Sequence, residues 1–362
     1  MEKHRKIQIV LGVISPFLVL LLLYAMCCCF RRRFGWSRER ESLEGGGFGC
    51  GEEEGEKEAE ELTRFAGGEH LTVHDILDAP GEVVGKSSYA TLYRASLQRS
   101  GSVVLLRFVR PACVGRTQDV LLAVRKLGHV RHPNLVPMRA LYAGPRGETL
   151  FVHPFYSVGT LSQFLRDGAA ESHRWEVIYK LSLGIVKGLH HLHTALQRPI
   201  VHGNLKSNNI LLDADLQPHL SDFGLHLLLN PAAVQEMLEA SAARGYKAPE
   251  LIKMKDASTQ SDIYSLGVVL LELLARKEIM NNKFLHSQDL HLPTSLRNLV
   301  CEHKVPDAMN SAELINQSMK QNFTNEDSLQ MFFQLAMACC SPTPALRPDI
   351  KCIVRRLEEI GQ

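Results

Sequence analysis

The chain has 362 residues, 45% of them hydrophobic and 22% charged, with a formal net charge of +2. That balance excludes a wholly disordered or collagen-like chain, and it excludes nucleic-acid binding driven by bulk charge. Nine cysteines without a CxxC pair point away from a zinc site or disulfide scaffold and toward reduced thiols.

Between Ile7 and Phe30, 24 residues pass without one acidic or basic side chain, enough for a helix about 36 Å long. The hydrocarbon core of a bilayer is about 30 Å thick, so residues 7–30 are predicted to be a tilted transmembrane helix following a short non-cytoplasmic tail, residues 1–6. A cleaved signal peptide is the rival reading, but Arg31, Arg32 and Arg33 stand where a small-residue cleavage site would be. Lys3, Arg5 and Lys6 precede the segment, and Arg31, Arg32, Arg33, Arg38 and Arg40 follow it. The excess behind the span orients the C-terminal portion toward the cytoplasm. The sequons at Asn316 and Asn322 would then stay unmodified. Cys27, Cys28 and Cys29 at the inner boundary are either acylated or simply end the helix.

Residues 31–70 read as a linker, basic at first and then acidic. Eight glutamates fall between Glu44 and Glu61, interleaved with glycines, leaving too little apolar surface to offset the entropy of ordering. In the remainder, residues 71–362, short β runs come first: Val83-Val84, Ala90–Ala95 and Val103–Val109, separated by turn-prone residues. A helix is predicted over Thr117–Leu127. Farther on, Ile178, Leu181, Ile185, Leu189 and Leu192 recur at helical intervals. Asp262–Leu274 is apolar nearly all round, which marks a central core helix, and Ile350, Ile353, Val354, Leu357 and Ile360 form a last helical face.

Five signatures then stand in order: Ile200–Leu212 containing His202-Gly203-Asn204, Ser221-Asp222-Phe223-Gly224, Gly245–Glu250, Ser261–Val268, and Leu346-Arg347-Pro348. In this order the chain resembles protein kinases, specifically the cytoplasmic part of plant leucine-rich-repeat receptor-like kinases, over nearly all of residues 71–362. No leucine-rich repeats accompany the resemblance. It implies an α+β, bilobal kinase-like fold behind one transmembrane helix, with a small β-rich lobe over about 71–152 and a larger helical lobe over about 157–362. It also implies a single-pass membrane location, with the plasma membrane favoured, and other receptor-like kinases or signalling proteins as partners.

The resemblance also shows where the chemical parts depart from the pattern. In the glycine-rich loop Gly85 is kept, but Ser87 and Ala90 replace the other two glycines, and Leu92 follows at the next apolar nucleotide-site position. Leu105 stands where a small residue covers the adenine ring, and overfilling a packed site costs about 1–3 kcal/mol. Arg107 takes the place of the phosphate-pairing lysine, for which arginine is not interchangeable. Ala123 takes the place of that lysine's glutamate partner, leaving Arg107 to pair elsewhere or face solvent. Asn204 replaces the aspartate that accepts the substrate proton, a function worth roughly 10²–10⁴-fold in rate.

Lys206, Asn209 and Asp222 are retained. Either they keep some phosphate and magnesium binding or they only order the loop by hydrogen bonds. Gly203 removes the arginine that clamps an activation-loop phosphate, and between Leu225 and Ala248 the only hydroxyl residues are Ser241 and Tyr246. His202, Phe223, Asp262 and Leu127 match the column joining the lobes, and Glu250 and Arg347 match a buried ion pair. His190, His191 and His193 are read as ending a helix, and His153 as a wall of the cleft. The expectation is a membrane-anchored pseudokinase acting as a scaffold or allosteric partner, with no cofactor, or ATP and magnesium held only weakly. A weak serine/threonine kinase and an ATP-binding, non-catalytic scaffold are the alternatives.

Overall fold

The computed structural model describes residues 61–167, 174–242, 245–252, 257–275 and 326–361. The segment read as a membrane span, most of the linker, Cys27–Cys29 and both sequons lie outside these residues. Among the described residues no helix is long and apolar enough to cross a membrane.

Strands β1 (Glu61–Arg64), β2 (Gly81–Lys86), β3 (Ala90–Ser96), β4 (Val103–Val109), β5 (Ala140–Ala143) and β6 (Thr149–Pro154) form one six-stranded sheet in the order β1-β5-β6-β4-β3-β2. Period-two alternation divides the sheet between two cores. Val104, Leu106, Ala140 and Val152 point to one face, where Leu71 and Ile76 cover them. Phe151, Leu141 and Val109 point to the other, which joins the main core of the molecule. Ile76 lies on the short helix α1 (Val73–Leu77), started by a capping box: Asp75 N donates to Thr72 Oγ1 at 3.2 Å, and Thr72 N donates to Asp75 Oδ2 at 3.0 Å.

One boundary differs from the sequence reading. Strand β1 pairs antiparallel with β5, Leu62 opposite Tyr142, although residues 61–70 read as linker, so the first lobe begins before residue 71. Phe65 follows it into the main core, under the end of helix α2 (Thr117–Gly128). Gly128 permits this approach, because a Cβ there would run into the Phe65 ring.

After β6 the described residues become mostly helical: α3 (Leu161–Arg166), α4 (Trp175–Thr194), α5 (Pro231–Ala242), α6 (Thr259–Ala275), α7 (Glu326–Cys339) and α8 (Ile350–Ile360), with β7 (Gly159–Thr160), β8 (Ile210–Leu212) and β9 (Pro218–Leu220) making a small sheet. Every apolar position that set the period of α4, from Ile178 to Leu192, is buried, and so are nearly all residues of α6. The loop carrying His202-Gly203-Asn204, the catalytic loop by resemblance, hangs from α6: Asp262 Oδ2 accepts from His202 N at 2.7 Å and from His193 Nε2 at 2.9 Å, while Oδ1 accepts from Gly203 N at 2.9 Å. His193 thus seats the loop from the end of α4. Arg347 grips Glu250 through both guanidinium nitrogens, at 2.6 and 2.7 Å, and donates to the Gln260 and Ser341 carbonyls. Burial, the largest single influence, pushes the Glu250 carboxyl up, but the Arg347 hydrogen bonds, a backbone hydrogen bond at Glu250 and the Arg347 charge together outweigh it and hold the group below its ordinary pKa.

Candidate nucleotide and catalytic cleft

Strand β4 delivers two residues to the cleft. Leu105 and Arg107 share a face by period two, and Leu105 lies opposite His153 of β6 in the pairing register. Leu105 is buried. His153 Nδ1 lies 3.2 Å from the Pro137 carbonyl. Burial, then the Arg107 charge, pushes His153 down to about 4, so the ring is neutral and Nδ1 carries the proton it donates. Together Leu105 and His153 form an apolar wall.

Arg107 does not reach solvent. It is 6% exposed and its Nη2 pairs with Asp222 Oδ1. Ala123 of α2 is partly buried against the core and offers no carboxylate, so the carboxylate retained as a metal ligand by resemblance answers the guanidinium instead. Asp222 holds a left-handed backbone, φ 65°, a conformation that costs a non-glycine residue roughly 1–3 kcal/mol.

The glycine-rich loop is folded shut. Ser87 N donates to the Ala90 carbonyl at 2.9 Å, and Ala90 N donates back to Ser87 Oγ at 3.1 Å. Arg110 ties the loop from the end of β4, donating to the Ser87 carbonyl at 2.9 Å and also to that of Ser88. The loop therefore turns Tyr89 inward, 7% exposed and part of the main core. Burial raises its hydroxyl pKa, as does the Asp222 carboxylate; Arg107 and polar contacts with Ser87 and Asn204 oppose the shift. The phenol thus stands near Arg107, Asp222 and Asn204, beside the positions where the resemblance places phosphate and metal. Gly85 lies against Leu92, which is partly buried, and Ala90 is fully enclosed.

The catalytic loop is equally committed. Gly203 has φ 74°, and a Cβ there would press on the His226 ring. Asn204 Oδ1 accepts a 2.8 Å hydrogen bond from Ser241 Oγ of α5. Asn209 Nδ2 donates to the Asn204 carbonyl at 2.8 Å, and Asn209's own carbonyl accepts from Ser221 N and Oγ, so Asn209 orders the loop. Lys206 is partly buried. Among the described residues no group of three His, Cys, Asp or Glu side chains could hold a metal ion. Phe223 and Leu127 line one cavity together with Leu105, Arg107, His153 and Asp222, about 40 Å³ in volume. At roughly 10–15 Å³ per water that is room for about three waters, and the residues present do not fit a magnesium nucleotide.

Tyr89 and Ser241 are the two site residues that sequence reasoning left without a role. Tyr89 sits in the loop motif, and Ser241 is one of only two hydroxyls in its segment. Neither position carries a local signal for the direction in which it folds.

The protein kinase domain family model matches residues 79–356. The chain belongs to the protein kinase family. It is 36% identical over 314 residues to the Arabidopsis thaliana kinase-like protein TMKL1, covering 85% of this chain and 46% of that protein. It is 37% identical over 300 residues to the Arabidopsis leucine-rich-repeat receptor-like kinase IMK3, covering 83% and 37%. An Arabidopsis receptor kinase named as inactive is 32% identical over 360 residues, covering 96% of this chain and 54% of that one. The chain thus spans about half or less of the length of these relatives. Among solved structures it resembles the maize SIRK1 kinase domain bound to AMP-PNP, with TM-score 0.70 and 25% identity over 83% of this chain and all of that one. It also resembles the pseudokinase domain of BIR2, with TM-score 0.60 and 25% identity over 77% and 80%.

Proposed function

We propose that the chain is a membrane-anchored receptor-like pseudokinase, held by residues 7–30 with its kinase-like domain in the cytoplasm, acting as a binding module for a catalytically competent receptor kinase or its substrates. The observation that carries this is the Arg107–Asp222 pair with Tyr89 beside it. One ion pair consumes both the phosphate-binding cation and the metal-binding carboxylate, and a phenol takes the remaining space. Replacement of the proton acceptor by Asn204 removes the general base as well. The likeness to a receptor kinase named as inactive and to the BIR2 pseudokinase supports the same reading.

A phosphotransfer assay on the full chain with magnesium ATP tests it, scored against the Asp222→Asn variant. The proposal expects no incorporation above that control. Autophosphorylation that disappears in Asp222→Asn would instead establish the weak serine/threonine kinase, with Asp222 and Asn209 holding magnesium after all.

A further inference from the structure

A second closure, separate from the nucleotide cleft, lies on the catalytic loop. Helix α5 buries Ala233, Met237, Leu238 and Ser241, positions i, i+4, i+5 and i+8 that lie on one face. Three of these are apolar. The fourth, Ser241, is 6% exposed and donates to Asn204 Oδ1 at 2.8 Å, where Asn204 is 4% exposed. The space left between helix and loop, beside Leu205 and Leu251, is about 10 Å³, room for about one water.

The segment leading into α5 is tied to the other lobe. Gly115 N donates to the Leu228 carbonyl at 2.9 Å, Asn230 N to the Cys113 carbonyl at 2.9 Å, and Asn230 Nδ2 to the Ala112 carbonyl at 2.7 Å. Asn230 Oδ1 then caps the first turn by accepting from Ala233 N at 3.0 Å.

We propose that Ser241 is an intramolecular latch: its hydroxyl occupies the acceptor-hydroxyl position of the catalytic loop and holds α5 closed over that loop. In a transferring kinase a carboxylate at this position takes the proton of an incoming hydroxyl. An amide oxygen accepts the same hydrogen bond without taking the proton, which suits a contact meant to persist. The burial favours the amide too. The neutral amide has its Oδ1 satisfied by that hydrogen bond and leaves only Nδ2 without one, whereas a carboxylate shut in the same place is left with uncompensated charge. In this fold, therefore, Asn204 does more than lack the base: it is the neutral half of a closed contact.

The test is hydrogen–deuterium exchange on the full chain, comparing wild type with Ser241→Ala, Ser241→Thr and Asn204→Asp. Loss of one buried hydrogen bond is expected to speed exchange of the 231–242 amides about tenfold in Ser241→Ala, and at least as much in Asn204→Asp. Ser241→Thr, which keeps the hydroxyl, should match wild type, and the α4 and α6 amides should be unaffected in Ser241→Ala. Exchange over 231–242 within twofold of wild type in Ser241→Ala overturns the latch. So does an equal acceleration in α4 and α6, which would make the contact an ordinary part of global stability. Either failure leaves the Arg107–Asp222 pair that carries the proposed function untouched, since that pair takes no part in the Ser241 hydrogen bond.

Discussion

A guanidinium and a carboxylate buried together stabilise each other only while both remain. Arg107 and Asp222 are each about 7% exposed at the side chain, so either left alone would be an unpaired charge out of reach of water. Arg107→Met and Asp222→Asn should each cost about 3–5 kcal/mol, and the double variant well under the sum. Asparagine tolerates the left-handed backbone at this position, so Asp222→Asn isolates the charge. Urea unfolding of the four proteins measures the cycle, and additive costs would show that the two groups do not depend on each other.

His153 carries a pH signature of its own. Its folded-state pKa, pushed down to about 4 by burial and Arg107, lies below the unfolded value of about 6.5. Between those values the unfolded chain binds the proton and the folded chain does not. Stability is therefore fully present above about pH 6.5 and is lost as pH falls toward 4, by on the order of 3 kcal/mol from this group. Melting curves of His153→Leu across that window should show a shallower pH dependence than wild type; an identical slope would place the titration elsewhere.

At the scale of elements, β1 and α2 meet through one ring and one missing side chain. Phe65→Ala should cost about 3 kcal/mol or more by emptying a filled site. Gly128→Ala, favourable in an ordinary helix, should destabilise by about 1–3 kcal/mol because its methyl enters the Phe65 ring. Combining them should relieve the clash, so that the double variant is no less stable than Phe65→Ala alone. A further full loss in the double would remove Phe65 as the reason for the glycine.

Most elements were legible in the sequence because their signal is local. Ala90–Ala95 and Val103–Val109 fall within β3 and β4, and the Ile178–Leu192 face defines α4. Strand β1 was not legible: four residues, Glu61–Arg64, at the end of a glutamate run become a strand only by pairing with β5 some eighty residues away. The site divides the same way. Motif order located Leu105, Arg107, Asn204 and Asp222, but which charge answers Arg107, and what fills the vacated space, depends on contacts distant in sequence. Tyr89 in particular enters the cleft because Ser87 and Arg110 close its loop, and no periodicity reports that.

At the scale of the whole domain, the parts that hold the lobes together are present while the parts that handle nucleotide are turned to other uses. Asp262 suspends the catalytic loop and Arg347 clamps Glu250, so both of these scaffold contacts are in place among the described residues. Arg107, Asp222, Asn204 and Asn209 are all engaged within the chain. The most direct measurement is the melting temperature of the full chain titrated with magnesium ATP. A site of micromolar affinity, at a hundredfold excess of ligand over Kd, gains about 2.7 kcal/mol, a rise of several degrees. The closed cleft predicts no saturable rise up to millimolar nucleotide, and a saturating, magnesium-dependent rise of several degrees would contradict it.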